Sequence, residues 1–301
     1  MSTFERLTEV LEMSEEIPFN DSSKIVLFSD CHRGDNSWAD DFAHNQNLFY
    51  FALEHYYARG FTCIEIGDSD ELHENKRFED IRKAHSHVFF LMRDFYEEGR
   101  LYLIFGNHDI ERKDPKVVER TLYRYYDEQT QRYEPLFDGI EVHEGIVLRH
   151  WDTANRIFLA HGHQGDLLGE TLWWVARFIS RHFWRHLQLL GIRDPTSPAK
   201  NYKKRRIVEG EYIRWVRSKN LIFICGHTHR PMFPKPGTPP YFNTGSCVHP
   251  RSITGIEIES GEITMIKWWI KPKLEEGGTL YVAREIVAGP EKLSSFFPRR
   301  D

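Results

Sequence analysis

Short runs of Ile, Leu, Val and Phe recur along the first three quarters of the chain, and each ends on a polar, glycine-containing stretch. Residues 24–29 (KIVLFS), 62–66 (TCIEI), 101–105 (LYLIF), 157–160 (IFLA) and 221–225 (LIFIC) predict buried strands. Between them, residues 40–59, 76–98 and 115–128 predict helices, and strand alternating with helix implies a layered α/β fold. The last quarter differs. Residues 253–259, a Ser-Gly turn at 260–261 and residues 263–270 predict a hairpin, followed by a strand over 279–287. The expectation is a four-layer α-β-β-α sandwich of two mixed sheets with helices outside. Residues 1–20 read as an acidic amphipathic helix through Phe4, Leu7, Val10 and Leu11, and 231–240 as a rigid surface loop. With no repeat and no long linker, one domain is expected over 1–301. It comprises an N-terminal helix (1–23), a core (24–164 and 221–301) and a helical cap insertion (165–220).

Composition narrows the class. At 40% hydrophobic and 28% charged residues the chain is globular, and a net charge of −5 excludes whole-molecule electrostatic binding to nucleic acid, so any basic patch is local. No apolar run reaches the ~20 residues of a membrane span, and the start lacks the basic end and long apolar core of a signal peptide. Cys31, Cys63, Cys225 and Cys247 are scattered singly, which predicts small buried hydrophobes in a reducing, cytoplasmic setting. Cys31 is expected to face away from its neighbours Asp30 and His32. The 16 histidines are the unusual count.

Many of them fall at strand ends. Asp30-Cys31-His32, Gly67-Asp68, Gly106-Asn107-His108-Asp109, His161-Gly162-His163 and Gly226-His227-Thr228-His229 each follow an apolar run. In α/β sheets, ligands gather at the carboxyl ends of strands. Residues two apart there, such as 30/32 and 227/229, point to the same side. Carboxylate, amide oxygen and imidazole together suit Mn²⁺, Fe or Zn²⁺ better than Ca²⁺. Asp68 is the natural bridge between two ions, which at a separation of ~4 Å would polarise a phosphate and lower the pKa of a shared water toward ~7.

In this order the five motifs resemble the calcineurin-like metallophosphoesterase superfamily, over residues 25 to about 250. The resemblance implies one metal on Asp30, His32, Asp68 and His229 and a second on Asp68, Asn107, His161 and His227. Two divalent ions are expected, Mn²⁺ first and Fe or Zn²⁺ as alternatives. The resemblance also implies attack by a metal-bridging hydroxide, with His108 protonating the leaving group and Asp109 orienting the His108 ring. His161 is favoured over His163 as ligand, leaving His163 as a supporting or substrate contact. Arg33 and Arg230, each just after a ligand, are candidate grips on phosphate oxygens. Asp70, Glu71 and His73 follow Asp68 closely and read as a solvated helix start, with lining of the site as the alternative, and residues 243–246 read as a structural turn.

His161 and His227 stand 66 positions apart, more than a minimal crossover needs. Leu168, Leu172, Val175, Ile179, Phe183, Leu187 and Leu190 form an apolar face. Arg177, Arg181 and Arg185 line the other side beside Trp173, Trp174 and Trp184. Nine Lys/Arg against one acid between 177 and 206 predict a cap over an anionic, lipid-linked substrate, a peripheral membrane contact through 165–206, or an exposed helical hairpin. Residues 226–231 (GHTHRP) resemble the UDP-2,3-diacylglucosamine pyrophosphatase branch, whereas 67–72 and 161–166 depart from it. The expected function is hydrolysis of a phosphomonoester, phosphodiester or pyrophosphate, with a lipid-linked nucleotide pyrophosphate as an alternative substrate. A serine/threonine phosphatase fits less well, since GDSDELH and GNHD stand where that family has Asp-Arg-Gly and Gly-Asn-His-Glu. A nuclease would use the basic cap to track phosphates, and a metal-free scaffold would have lost ligands, which this chain has not.

Overall fold

Alternation along the strands builds the layers. In KIVLF, Ile25 and Leu27 turn to one side and Val26 and Phe28 to the other, and all four are buried. A strand buried on both faces needs cover on both, and it receives a second sheet on one and helices on the other. The computed structural model describes residues 2–166, 202–273 and 278–297, with backbone alone at 202–204.

The described elements, in order, are α1 (Thr3–Met13), β1 (Glu15–Phe19), β2 (Lys24–Phe28), α2 (Gln46–Ala58), β3 (Thr62–Ile66), α3 (Phe78–Ala84) and α4 (Ser86–Glu97). Next come β4 (Leu101–Ile104), α5 (Pro115–Leu122), β5 (Arg124–Asp127), β6 (Arg132–Pro135), β7 (Val142–His143), β8 (Gly145–His150) and β9 (Arg156–Ala160). After α6 (Tyr202–Ser218) follow β10 (Ile222–Cys225), β11 (Tyr241–Asn243), β12 (Ser252–Glu259), β13 (Glu262–Lys273) and β14 (Thr279–Lys292).

One sheet runs β14-β13-β12-β2-β3-β4-β7, the other β1-β8-β9-β10-β11, and both are mixed. In the first, β2, β3, β4 and β7 are parallel and β12–β14 antiparallel; in the second, β8 opposes β9 while β9, β10 and β11 are parallel. Ile64, Ile66, Ile104, Ile157, Leu159, Ile222 and Ile224 fill the space between the sheets. Helices α2–α5 cover the outer face of the first sheet, and α1 and α6 that of the second. This is the four-layer sandwich expected from the hydrophobic pattern.

Several elements differ from the sequence reading. The N-terminal helix stops at Met13, and Glu15–Phe19 becomes an edge strand parallel to β8. The predicted helix over 76–98 is two, broken at His85, whose buried ring bonds Asp40 at 2.8 Å. Asp40 itself caps a turn through the amides of Phe42 and Ala43, so α2 begins only at Gln46. The helix expected to run to 128 ends at Leu122, where Arg124–Asp127 pairs with Arg132–Pro135. The basic stripe with Arg177, Arg181 and Arg185, and the neighbouring tryptophans, lie outside the described residues. Among the described residues no helix is long and apolar enough to cross a membrane.

Candidate metal centre

Past their last paired residues, β2 and β3 keep running side by side. Asp30 N donates to Gly67 O (3.1 Å), His32 N to Asp68 O (2.9 Å) and Arg33 N to Ser69 O (3.0 Å). The loop after β4 joins them when His108 N donates to Asp68 Oδ1 (2.8 Å). From the other sheet, Gly226 N donates to His161 O (3.0 Å), and His227 N donates to Asp30 Oδ2 (3.0 Å). The five motifs therefore meet at one end of the sandwich, where the carboxyl ends of parallel strands from both sheets converge.

Glycines permit the close approach. A Cβ on Gly106 would sit 2.5 Å from the Asp68 backbone nitrogen, and one on Gly67, at φ +77°, would sit 2.6 Å from the His161 ring. The ligand-type residues carry strain. Asp30, His32, Asp68, His227 and His229 have φ of 52°, 47°, 50°, 67° and 53°, half of the ten non-glycine positive-φ residues described. Each costs ~1–2 kcal/mol in that region, and such strain concentrates at functional sites.

The side chains form two clusters. Donor atoms of Asp30, His32 and His229 lie within 4.8 Å of one another, as do those of Asp68, His161 and His227. His229 Nε2 is 3.0 Å from Asp30 Oδ1 and 3.3 Å from His32 Nε2. Asp68 Oδ2 lies 3.1 Å from His161 Nε2 and 3.7 Å from His32 Nε2, so a single oxygen faces both clusters. His161 Nδ1 must donate to the Ile66 carbonyl (2.9 Å), which turns Nε2 toward Asp68 Oδ2. The buried Asn107 Oδ1 has no hydrogen-bond partner among the described residues. An orphaned buried acceptor at a strand end beside these groups is costly without a cation. Oxygen and imidazole donors with no thiolate suit a divalent transition ion. Cys31 faces the helices as expected, and all four cysteines are buried and free.

The centre corrects four expectations. Arg33 does not reach a phosphate: its side chain is 1% exposed, with two nitrogens on Glu65 (2.6 and 2.7 Å) and Nε on Asp70 (2.7 Å). Residues 70, 71 and 73 are no solvated helix start, since Asp70, Glu71 and His73 are all buried. Asp109 does not orient His108; its Oδ1 accepts from Gly106 N (2.6 Å) and its Oδ2 from Ser69 N (3.0 Å). Glu71 takes that place: His108 Nδ1 lies 2.7 Å from its Oε2 and 2.9 Å from its Oε1, and His32 Nδ1 lies 2.9 Å from Oε2. His163 is fully buried between the His161 and Phe105 rings, outside both clusters, with no surface for a substrate. Arg230 is different: its side chain is half exposed, 3.9 Å from Glu209.

Charge sets the protonation states. Burial alone would raise the Asp30 carboxyl, but His229 and His161 hold it down at about 2. Burial likewise opposes charge on His108, yet Glu71 and Asp68 push its imidazole up to about 10. His161 rises to about 9 against its burial because of Asp68, whereas burial and the neighbouring His161 depress His227 to about 4. Groups raised in the folded state contribute stability that is complete below their unfolded pKa and is lost as pH rises through the folded value. The metal-free protein is therefore expected to lose Tm between pH ~7 and pH ~10 as His108 and His161 deprotonate. Thermal melts in chelator check this, and a flat Tm across the window contradicts it.

The calcineurin-like phosphoesterase family model matches residues 23–231. The chain belongs to that family. Solved structures similar to this chain include Vacuolar Protein Sorting 29 from Cryptosporidium parvum, at 13% identity and TM-score 0.35, covering 89% of this chain and 98% of that one. Vps29 from Chaetomium thermophilum gives 12%, 0.40, 89% and 97%. A putative 5′-nucleotidase from Staphylococcus aureus, in complex with α-ketoglutarate, gives 14%, 0.35, 90% and 55%. A comparison with curated proteins finds no match.

Proposed function

We propose that this protein is a metal-dependent phosphoric ester hydrolase with a two-ion centre, acting on a phosphomonoester, phosphodiester or pyrophosphate. The observation that carries the reading is Asp68 Oδ2, which lies between His161 of one cluster and His32 of the other. Asp30, His32, Asp68 and His229 would hold one ion, and Asp68, Asn107, His161 and His227 the other. When bound, two divalent ions there supply Lewis-acid polarisation of a phosphoryl oxygen and an acidified water.

The chain's own groups supply the rest. Glu71 fixes two imidazoles at once: with Nδ1 of His32 and of His108 both donating to it, each ring presents Nε2 to the site. His108 is 30% exposed at the side chain and stands edge-on to His32 at 4.6 Å, and Glu71 and Asp68 favour its protonated form, so Nε2–H is poised to protonate a departing oxygen. Arg230, exposed just after His229, is a candidate to steer an anionic substrate. The four buried thiols favour a reducing, cytoplasmic setting.

The test is metal dependence. Chelated protein reloaded with Mn²⁺ is expected to bind two equivalents and to hydrolyse p-nitrophenyl phosphate or its bis ester, with activity absent in chelator. Failure to bind Mn²⁺, Fe²⁺ or Zn²⁺ under any loading condition would defeat the reading.

A further inference from the structure

The loops bearing the candidate ligands are not held equally. Loop 30–33 is zipped to loop 67–71 by backbone hydrogen bonds. Among the described residues no backbone–backbone bond joins loop 106–109 to loop 67–71. Its attachments run through three carboxylates: Asp68, which accepts from His108 N, Glu71, which accepts from His108 Nδ1, and Asp109, which accepts from Gly106 N and Ser69 N.

Asp109 ends a buried chain of charges. Glu65 receives both terminal nitrogens of Arg33, Arg33 Nε donates to Asp70 Oδ1 (2.7 Å), and Asp70 Oδ2 pairs with Arg112 Nη2. Arg112 Nη1 then reaches Asp109 Oδ2 (3.4 Å). No side chain of the five is more than 3% exposed, and the guanidiniums lie over Phe89 and Phe78 at 5.1 and 5.3 Å. Five charges this deep persist only when each is paired, and removing one partner strands the rest. Among the described residues Arg112 is the one cation that touches both Asp70, on the Asp68 loop, and Asp109, on the Asn107 loop.

We propose that Arg112 is a positioning residue: through Asp109 and Asp70 it sets the Asn107–His108 loop against the Asp68 loop, and so governs one metal position selectively. The position governed is the one that includes Asn107, since the Asp30, His32 and His229 cluster is braced by Ser29, Glu71 and the His227 amide. The proposal rests on the two-ion reading above.

The test compares Arg112→Met, which keeps a stem to pack on Phe78, with Arg112→Lys, which keeps the charge but cannot fork between two carboxylates. Mn²⁺ binding to the full-length protein is followed by calorimetry, and by electron paramagnetic resonance, which separates a coupled pair from a single ion. A folded variant is expected to bind its first Mn²⁺ as the wild type does and its second ~10–100-fold more weakly, the usual effect of losing a support to a ligand. A purely structural role would lower Tm and leave both affinities of the folded protein alone. Should Arg112→Met not fold, Arg112→Lys alone decides. Unchanged binding of both ions, or equal weakening of both, overturns the proposal. Wild-type protein that binds no Mn²⁺ pair overturns the two-ion reading and this proposal with it, an outcome distinct from a variant that keeps the pair intact.

Discussion

Asp68→Asn is expected to leave the protein folded, unable to hold two ions, and slower by about three orders of magnitude, the rate equivalent of several kcal/mol of Lewis-acid stabilisation. Asparagine suits the test because Asp68 sits at φ +50°, which Asn adopts more readily than most residues. The Asn Oδ1 can still accept from His108 N, as Asp68 Oδ1 does, so the loop contact survives. What changes is the other atom. Asp68 Oδ2 faces His161 Nε2 at 3.1 Å and His32 Nε2 at 3.7 Å, and in the variant an NH₂ would stand there. That group cannot ligate a cation, and it would donate to the His161 lone pair that a metal needs. Mn²⁺ titration monitored by thermal melting gives the readout. A specific ion at ~100 times its Kd stabilises the wild type by ~2.7 kcal/mol, and the variant is expected to gain far less. Two tightly held ions in Asp68→Asn would show that this carboxylate is no bridge.

The features legible in the sequence were those governed by local pattern. Runs such as LIFIC and TCIEI reveal two-sided burial directly, and the Ser-Gly turn marks the β12–β13 hairpin. The candidate ligands stand out in the sequence because each follows such a run. What escaped depended on tertiary partners. β1 is an edge strand with only Phe19 buried, too weak a pattern against the helical spacing before it. β8 did carry a signal, Ile146-Val147-Leu148 after Gly145, and was readable as a strand. The stop at Leu122 was half visible, since Asp127 accepts from the Gln129 and Thr130 amides as Asp does in turns. Arg33 is the instructive error. The rule that turns Cys31 away from the metals applies equally to the residue two further on, and Arg33 indeed points with Cys31 into the helix side of the first sheet. Glu71 carried only the weak signal of lying three residues after Asp68: within GDSDELH an acid looks solvated, and only burial by the folded loops makes it the acceptor for two imidazoles.

Glu71 and His108 give the second large effect. His108→Ala is expected to keep its metal content and to lose ~10²–10⁴ in turnover, the usual contribution of a general acid. The loss should be greatest for alkyl phosphate leaving groups, which need the proton, and smallest for p-nitrophenolate, which does not. Glu71→Gln separates proton supply from mere presence of the ring. A glutamine has one acceptor oxygen for two Nδ1–H donors and no charge, so His108 loses the stronger of the two carboxylates that push its pKa up to about 10. The acid must be protonated to act, so the raised value keeps the wild type active toward alkaline pH. In Glu71→Gln the alkaline limb of kcat is expected to move down, toward the ordinary imidazole range near ~6.5. His32 shares the same carboxylate, so Mn²⁺ affinity should also weaken modestly, by ~10-fold. An unmoved alkaline limb in Glu71→Gln would remove His108 from the proton-donor role, and loss of metal from His108→Ala would make it a ligand instead.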